Sequence, residues 1–222
     1  MSKVAPTPRA AARLLSIALT AAMLTLAGAV APATGTPEPA GPNVWNSPVY
    51  VIGDSITRHG ERRLQAREPR WDIDGVPGRN VASTDDLLEA RMSGTRAPRH
   101  VVVALGSNGH REWSKAHYEG AVAVLPPTTR VTFVTMWRDP SVFGPDHPGV
   151  YKRPSAMRAY SRWVRQISQE RPNTCLFNWR RVVRHRPHLL SDGVHPTVQG
   201  RVVWARGVSR AVRRCAAQPL VD

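Results

Sequence analysis

Several short stretches carry the residue types that acyl chemistry at a hydroxyl requires. Residues 49–57 read VYVIGDSIT, an apolar β-forming run that ends in Gly53, Asp54 and Ser55. Gly-Asp-Ser alone is ordinary turn composition. It gains meaning from four segments farther along the chain: Gly78-Arg79-Asn80, Gly106-Ser107-Asn108-Gly109, Trp137-Arg138, and Asp192-Gly193-Val194-His195. A serine that attacks a carbonyl needs a base for its proton, an acid to orient that base, and donors for the oxyanion. Ser55, His195, Asp192 and Asn108 are of those types. Asp192 and His195 lie three residues apart, so one turn can present both. The order Ser, Asp, His is one of several compatible with this geometry. Thr57 stands where a Gly-x-Ser-x-Gly elbow would have glycine, which argues against a typical α/β-hydrolase.

The elements that must position these residues alternate along the chain. PVYVIG (48–53), RWDIDG (70–75), HVVVALG (100–106), RVTFVTMW (130–137) and TCLFNW (174–179) read as strands. Helices are expected after Ser55, over STDDLLEARM (83–92), over 114–125, over SAMRAYSRWVRQISQE (155–170) and over 197–214. In the fourth of these, Met157, Tyr160, Val164 and Ile167 recur at helical spacing. Such alternation implies an α/β fold, a parallel sheet of about five strands with helices on both faces. Ligands then bind beyond the carboxyl ends of the strands, which is where every residue singled out above falls.

In this order, GDSIT, VPGRN, LGSNG and DGVHPT resemble the sequence blocks of the SGNH (GDSL-type) hydrolases over roughly residues 46–214. The resemblance implies a three-layer, flavodoxin-like SGNH fold. It implies Ser55 as nucleophile, His195 as base and Asp192 as its orienting acid. The oxyanion hole would be the N–H groups of Ser55 and Gly78 and the amide of Asn108; the surroundings of Gly78 depart most from the family pattern. Asp54, Arg79, Trp137 and Arg138 are further candidates for substrate binding. For Trp113, Trp137 and Arg138, a substrate wall and plain packing both remain open. IDGVPGRN, ALGSNG and VTMWRDP look most like the extracytoplasmic SGNH domains of peptidoglycan and polysaccharide O-acetyltransferases. The implied substrate is an O-acetylated carbohydrate or another small ester. A lipase acting on lipid esters and a silent glycan-binding module are the alternatives. No cofactor or metal is implied, and a monomer is expected.

The rest of the chain bounds the setting. Lys3, Arg9 and Arg13 precede an apolar run, LLSIALTAAMLTLAGAV, and then small residues. A secretory leader over 1–33 and a linker over 34–45 are expected, ahead of one domain over 46–222. In an oxidising compartment Cys175 and Cys215 would form a disulfide between a late strand and the last helix, rather than remain as free thiols. Net charge is +15, and loss of residues 1–33 leaves +12. Only Lys3, Lys115 and Lys152 among the 31 basic residues are lysines. Such a surface can attract nucleic acid, anionic lipid or an acidic wall polymer, of which export disfavours nucleic acid, and it equally fits an arginine-rich coding bias on a solvated surface. His185 and His188 read as solvated loop residues rather than metal ligands.

Overall fold

β1 (Val49–Gly53) and β3 (His100–Ala104) are buried along their whole length, as unbroken apolar runs should be in the middle of a parallel sheet. The structure, a computed structural model, describes residues 48–94, 97–144 and 146–221. The expected leader and linker lie outside the described residues. β2 (Asp72–Gly75), β4 (Arg130–Val134) and β5 (Thr174–Phe177) complete one sheet in the order β2-β1-β3-β4-β5. Every neighbouring pair is parallel. This is the flavodoxin-like doubly wound order, whose direction reverses between β1 and β3. The expected α/β class and helix-on-both-faces architecture are borne out.

Although β1 and β3 are buried throughout, the two-residue period of a strand still sorts their side chains into two layers. Val49, Val51, Val102 and Ala104 pack with α1 (Ser55–Arg67), α5 (Trp179–Arg184) and α6 (Val198–Ala216) through Leu64, Val183 and Trp204. Tyr50, Ile52, Val101 and Val103 pack with α2 (Thr84–Met92), α3 (Lys115–Ala123) and α4 (Pro154–Glu170) through Leu88, Tyr118 and Met157. Leu64 is fully buried, a burial that stabilises the fold by about 2 kcal/mol. α1 and α6 approach closely at Gly60, where a Cβ would lie 2.4 Å from the buried ring of Trp204. Any larger residue there would force the helices apart.

Three strands end earlier than their sequences suggest, β3 at Ala104, β4 at Val134 and β5 at Phe177. Thr135 still donates its N–H to Phe177 O, but the N–H of Met136 turns to the hydroxyl of Ser161 on α4. The β4–β5 ladder therefore closes before Trp137. After Phe177, Asn178 caps a short helix by accepting from Arg181 N at 3.0 Å, so Trp179 opens α5 rather than extending β5. Cys175 on β5 and Cys215 on α6 form a disulfide, with Cα atoms 5.8 Å apart. No described helix is long and apolar enough to cross a membrane.

Candidate active site

Ser55 is the first residue of α1, directly after the carboxyl end of β1. Asp54 caps that helix, its carboxylate accepting from Ile56 N at 3.0 Å. The N–H of Ser55 is thus one of the first-turn donors with no partner inside the helix, where the helix dipole favours negative charge.

The opposite wall is the turn ahead of α6. Asp192 Oδ1 accepts from Val194 N at 3.0 Å and from His195 N at 2.7 Å. Gly193 has φ +80°, and its carbonyl accepts from Asp139 N at 2.9 Å. A Cβ there would lie 3.0 Å from Val142 as well as being strained, so glycine is required. Ser191 N donates to His195 O, and Thr197 then caps α6 by accepting from Gly200 N. The histidine is therefore fixed on both sides in the chain.

Across the cleft, His195 Nε2 lies 3.0 Å from Ser55 Oγ, and His195 Nδ1 lies 2.6 Å from Asp192 Oδ2. Burial pushes the Asp192 carboxyl up, but hydrogen bonds from the His195 ring and two backbone N–H groups outweigh it and bring it down to about 2. An ionised carboxylate only accepts, so the proton of a neutral His195 sits on Nδ1 and Nε2 accepts from the Ser55 hydroxyl. The series can move a proton from Ser55 without rearrangement.

Asn108 follows β3, and its Nδ2 donates to Arg79 O at 3.4 Å. This bond holds the amide beside the 78–80 segment, where exposed Gly78 occupies a turn with φ +78° closed by Arg79 N to Val76 O. The structure therefore brings Ser55, Asn108, Asp192 and His195, with the Gly78 turn, to the reversal point of the sheet.

The side chains of the further candidates are directed into the protein. Asp54 is buried, and its Oδ2 accepts from both the N–H and the hydroxyl of Ser107. Burial pushes its carboxyl upward against those hydrogen bonds. Ser107 O in turn accepts from Arg138 Nε at 2.9 Å, and Arg138 lies over the Phe143 ring. These contacts tie together the tops of β1, β3 and β4. Arg79 makes the equivalent tie to β2: it donates to Gly53 O and Asp74 O and pairs with the Asp74 carboxylate at 2.8 Å. Trp137 and Trp113 are 7–8 % exposed and belong to the two core layers. All four candidate substrate residues are thus engaged within the protein, three in hydrogen bonds that join strand ends and Trp137 in a core layer. Strand-end residues are as often directed back into the sheet as out of it, and the pattern along the sequence does not separate the two.

One neighbour of the site is not evident from its motifs. His59, one helical turn after Ser55, stacks on His195 with ring centroids 4.9 Å apart and planes at 22°. Arg201 on α6 lies 3.2 Å from His59 Nδ1 and also donates to Pro196 O, just after His195. The i,i+4 spacing from Ser55 is the signal that would have placed His59 on that face. Burial, His195 and Arg201 all push His59 below its ordinary range, which favours the neutral ring that can accept from Arg201. Among the described residues, no group of three or more His, Cys, Asp or Glu side chains is arranged to hold a metal.

No family model matches the sequence, and no curated protein matches it either. Solved structures do match. The C-terminal catalytic domain of peptidoglycan O-acetyltransferase A from Streptococcus pneumoniae, with a methylsulfonyl adduct, superposes with TM-score 0.68 at 19% identity, covering 78% of this chain and 97% of that one. A lipolytic G-D-S-L family member from Veillonella parvula gives TM-score 0.60 at 16% identity, covering 75% and 98%. A catalytic mutant of an acetylxylan esterase from Geobacillus stearothermophilus gives 0.51 at 21%, covering 74% and 93%. At such identities the likeness is one of architecture, and it agrees with the strand order above: this chain has the fold of the SGNH (GDSL-type) hydrolases.

Proposed function

We propose that the protein is an extracytoplasmic serine esterase or acyltransferase that takes a short acyl group, acetyl above all, from cell-envelope carbohydrate through an acyl-Ser55 intermediate. The observation that carries this reading is the hydroxyl, imidazole and carboxylate hydrogen-bonded in series at 3.0 and 2.6 Å. His195 Nε2 takes the hydroxyl proton as Ser55 Oγ bonds to the ester carbonyl carbon. The resulting oxyanion is met by the N–H groups of Ser55 and Gly78 and the amide of Asn108. Collapse breaks the bond to the sugar oxygen, which leaves with the proton held on Nε2. Water or a second sugar hydroxyl then attacks the acyl-serine, His195 again taking the proton, and Ser55 is regenerated. Asp192 stays ionised throughout and steadies the imidazolium.

The choice of substrate is supported by the named activities of two structural neighbours, a peptidoglycan O-acetyltransferase and an acetylxylan esterase. Export is supported by the leader-like N-terminal sequence and by the Cys175–Cys215 disulfide, a bond suited to an oxidising compartment. Release of acetate from aryl acetates, acetylated xylan and acetylated peptidoglycan tests the reading. Ser55→Ala and His195→Ala are expected to lose at least about 10³-fold in kcat, and Asn108→Ala about 10²-fold. A wild-type protein inert toward all three would instead be a glycan-binding module. Preference for long-chain lipid esters would make it a lipase.

A further inference from the structure

Charge on this molecule is unevenly shared. From Arg171 to Val221 there are ten arginines and a single acidic residue, Asp192, which is engaged by His195. Between α5 and α6 lies a groove of about 490 Å³ with Phe177 and Val203 in its lining. Arg181 and Arg186 reach it from the α5 side, and Arg206, Arg210 and Arg214 from α6. None of these five makes an ion pair among the described residues, whereas Arg58, Arg79, Arg91, Lys115 and Arg213 do. The contrast holds within α6 itself, where Arg213 pairs with Glu68 at 2.7 Å. The cationic field continues past α5: Arg180 has a buried Nε with no hydrogen-bond partner, and Arg158, Arg162, Arg165 and Arg184 all bear on it.

Arg206, Arg210 and Arg214 stand at i, i+4 and i+8, a row of about 12 Å with a charge every 6 Å or so. Like charges at that spacing repel, and an anion lying along the row would relieve them. A row with a cationic wall opposite suits a thread rather than a single ion or a flat membrane. Both walls can reach a charge carried in the thread's own backbone, as in a phosphodiester; a carboxylate hung from one side of a polymer reaches one wall. Guanidinium also matches phosphate oxygens two at a time, and the apolar lining accommodates the uncharged links.

We propose that the α5–α6 groove binds a linear phosphodiester polymer of the poly(polyol phosphate) type and so holds the protein on the envelope. The choice of this polymer over nucleic acid rests on the extracytoplasmic reading above. The binding itself does not depend on turnover.

The test is titration of the intact protein with lipid-free poly(glycerol phosphate) across a range of salt. A groove variant (Arg181→Gln, Arg206→Gln, Arg210→Gln) is compared with an equally charged control on α1 (Arg62→Gln, Arg63→Gln, Arg67→Gln). The groove variant is expected to bind at least about tenfold more weakly, with a salt slope smaller by about 2, and the control to change less than about threefold. In the wild type, a photo-crosslinking version of the polymer is expected to label α5 and α6 peptides, a readout that needs no variant to fold. Equal losses in both variants, or labelling spread over other helices, would reduce the effect to net charge and overturn the proposal. So would tighter wild-type binding of polygalacturonate, single-stranded DNA or phosphatidylglycerol vesicles. Because no ester is cleaved in these measurements, their failure leaves the Ser55 reaction open, and an inert Ser55 leaves them unaffected.

Discussion

His59 shows how a residue outside the sequence motifs can matter to a motif residue. The His195 side chain is about one-third exposed, 31 %, so only part of its surroundings is protein. His59 supplies one face as a stacked ring, and Arg201 secures both His59 and the backbone next to His195. In the proposed reaction His59→Ala should lower kcat about tenfold with little change in KM, since a loosened His195 would misalign the proton transfer. His59→Phe, which keeps a ring without the imidazole nitrogens, should retain most of the activity. Steady-state kinetics on an aryl acetate checks both, and equal damage from the two variants would show that the ring stack is not what matters. At this scale the sequence was informative about reacting types and poor about orientation. Ser55, Asn108, Asp192 and His195 are named by their motifs. That Asp54 and Arg138 turn inward depends on hydrogen bonds between segments distant in sequence, such as Ser107 to Asp54 and Arg138 to Ser107, and that Trp137 does depends on the core layer it joins.

Among the elements, β3 was the most legible, because five consecutive buried residues leave only one reading of HVVVA. α5 was the least, since six residues beginning with Trp and dominated by Arg and Val carry no clear period. The order β2-β1-β3 could not come from periodicity at all; pairing is decided by which edges meet in three dimensions. β3 also holds a titrating group. His100 is buried, with Nε2 2.8 Å from Thr132 Oγ1, and burial, with the nearby Arg130, pushes its pKa down to about 4. Between that value and the ordinary 6.5 the unfolded chain takes up a proton and the folded chain does not. Stability is therefore highest above pH 6.5 and falls as pH drops to about 4, by up to about 3 kcal/mol from this group. Urea midpoints measured from pH 7 to 4 should fall less steeply in His100→Gln than in the wild type.

For the molecule as a whole, the disulfide is the one covalent tie between distant parts. Cys175 and Cys215 close a loop 40 residues in separation, and that loop takes in α5, the Asp192–His195 turn and most of α6. The loss of chain entropy in the unfolded state corresponds to about 4 kcal/mol. The Cys175→Ser, Cys215→Ala double variant should unfold at clearly lower urea, with a stability loss of roughly 2–4 kcal/mol. Reduction of the wild type should reproduce most of that loss. An unchanged midpoint in both cases would show that packing of α6 against β4 and β5 is sufficient alone.

The hydrogen bond between Ser55 and His195 joins residues 140 positions apart. Its two halves ride on α1 and on the turn before α6, which meet where Gly60 admits Trp204. A ribosome makes Ser55 140 residues before its partner His195. Over that stretch of synthesis the growing chain carries Ser55 without the imidazole it later bonds. In the proposed reaction Ser55 is activated only once the turn before α6 has folded against α1, so a chain that stops short of His195 should release no acetate.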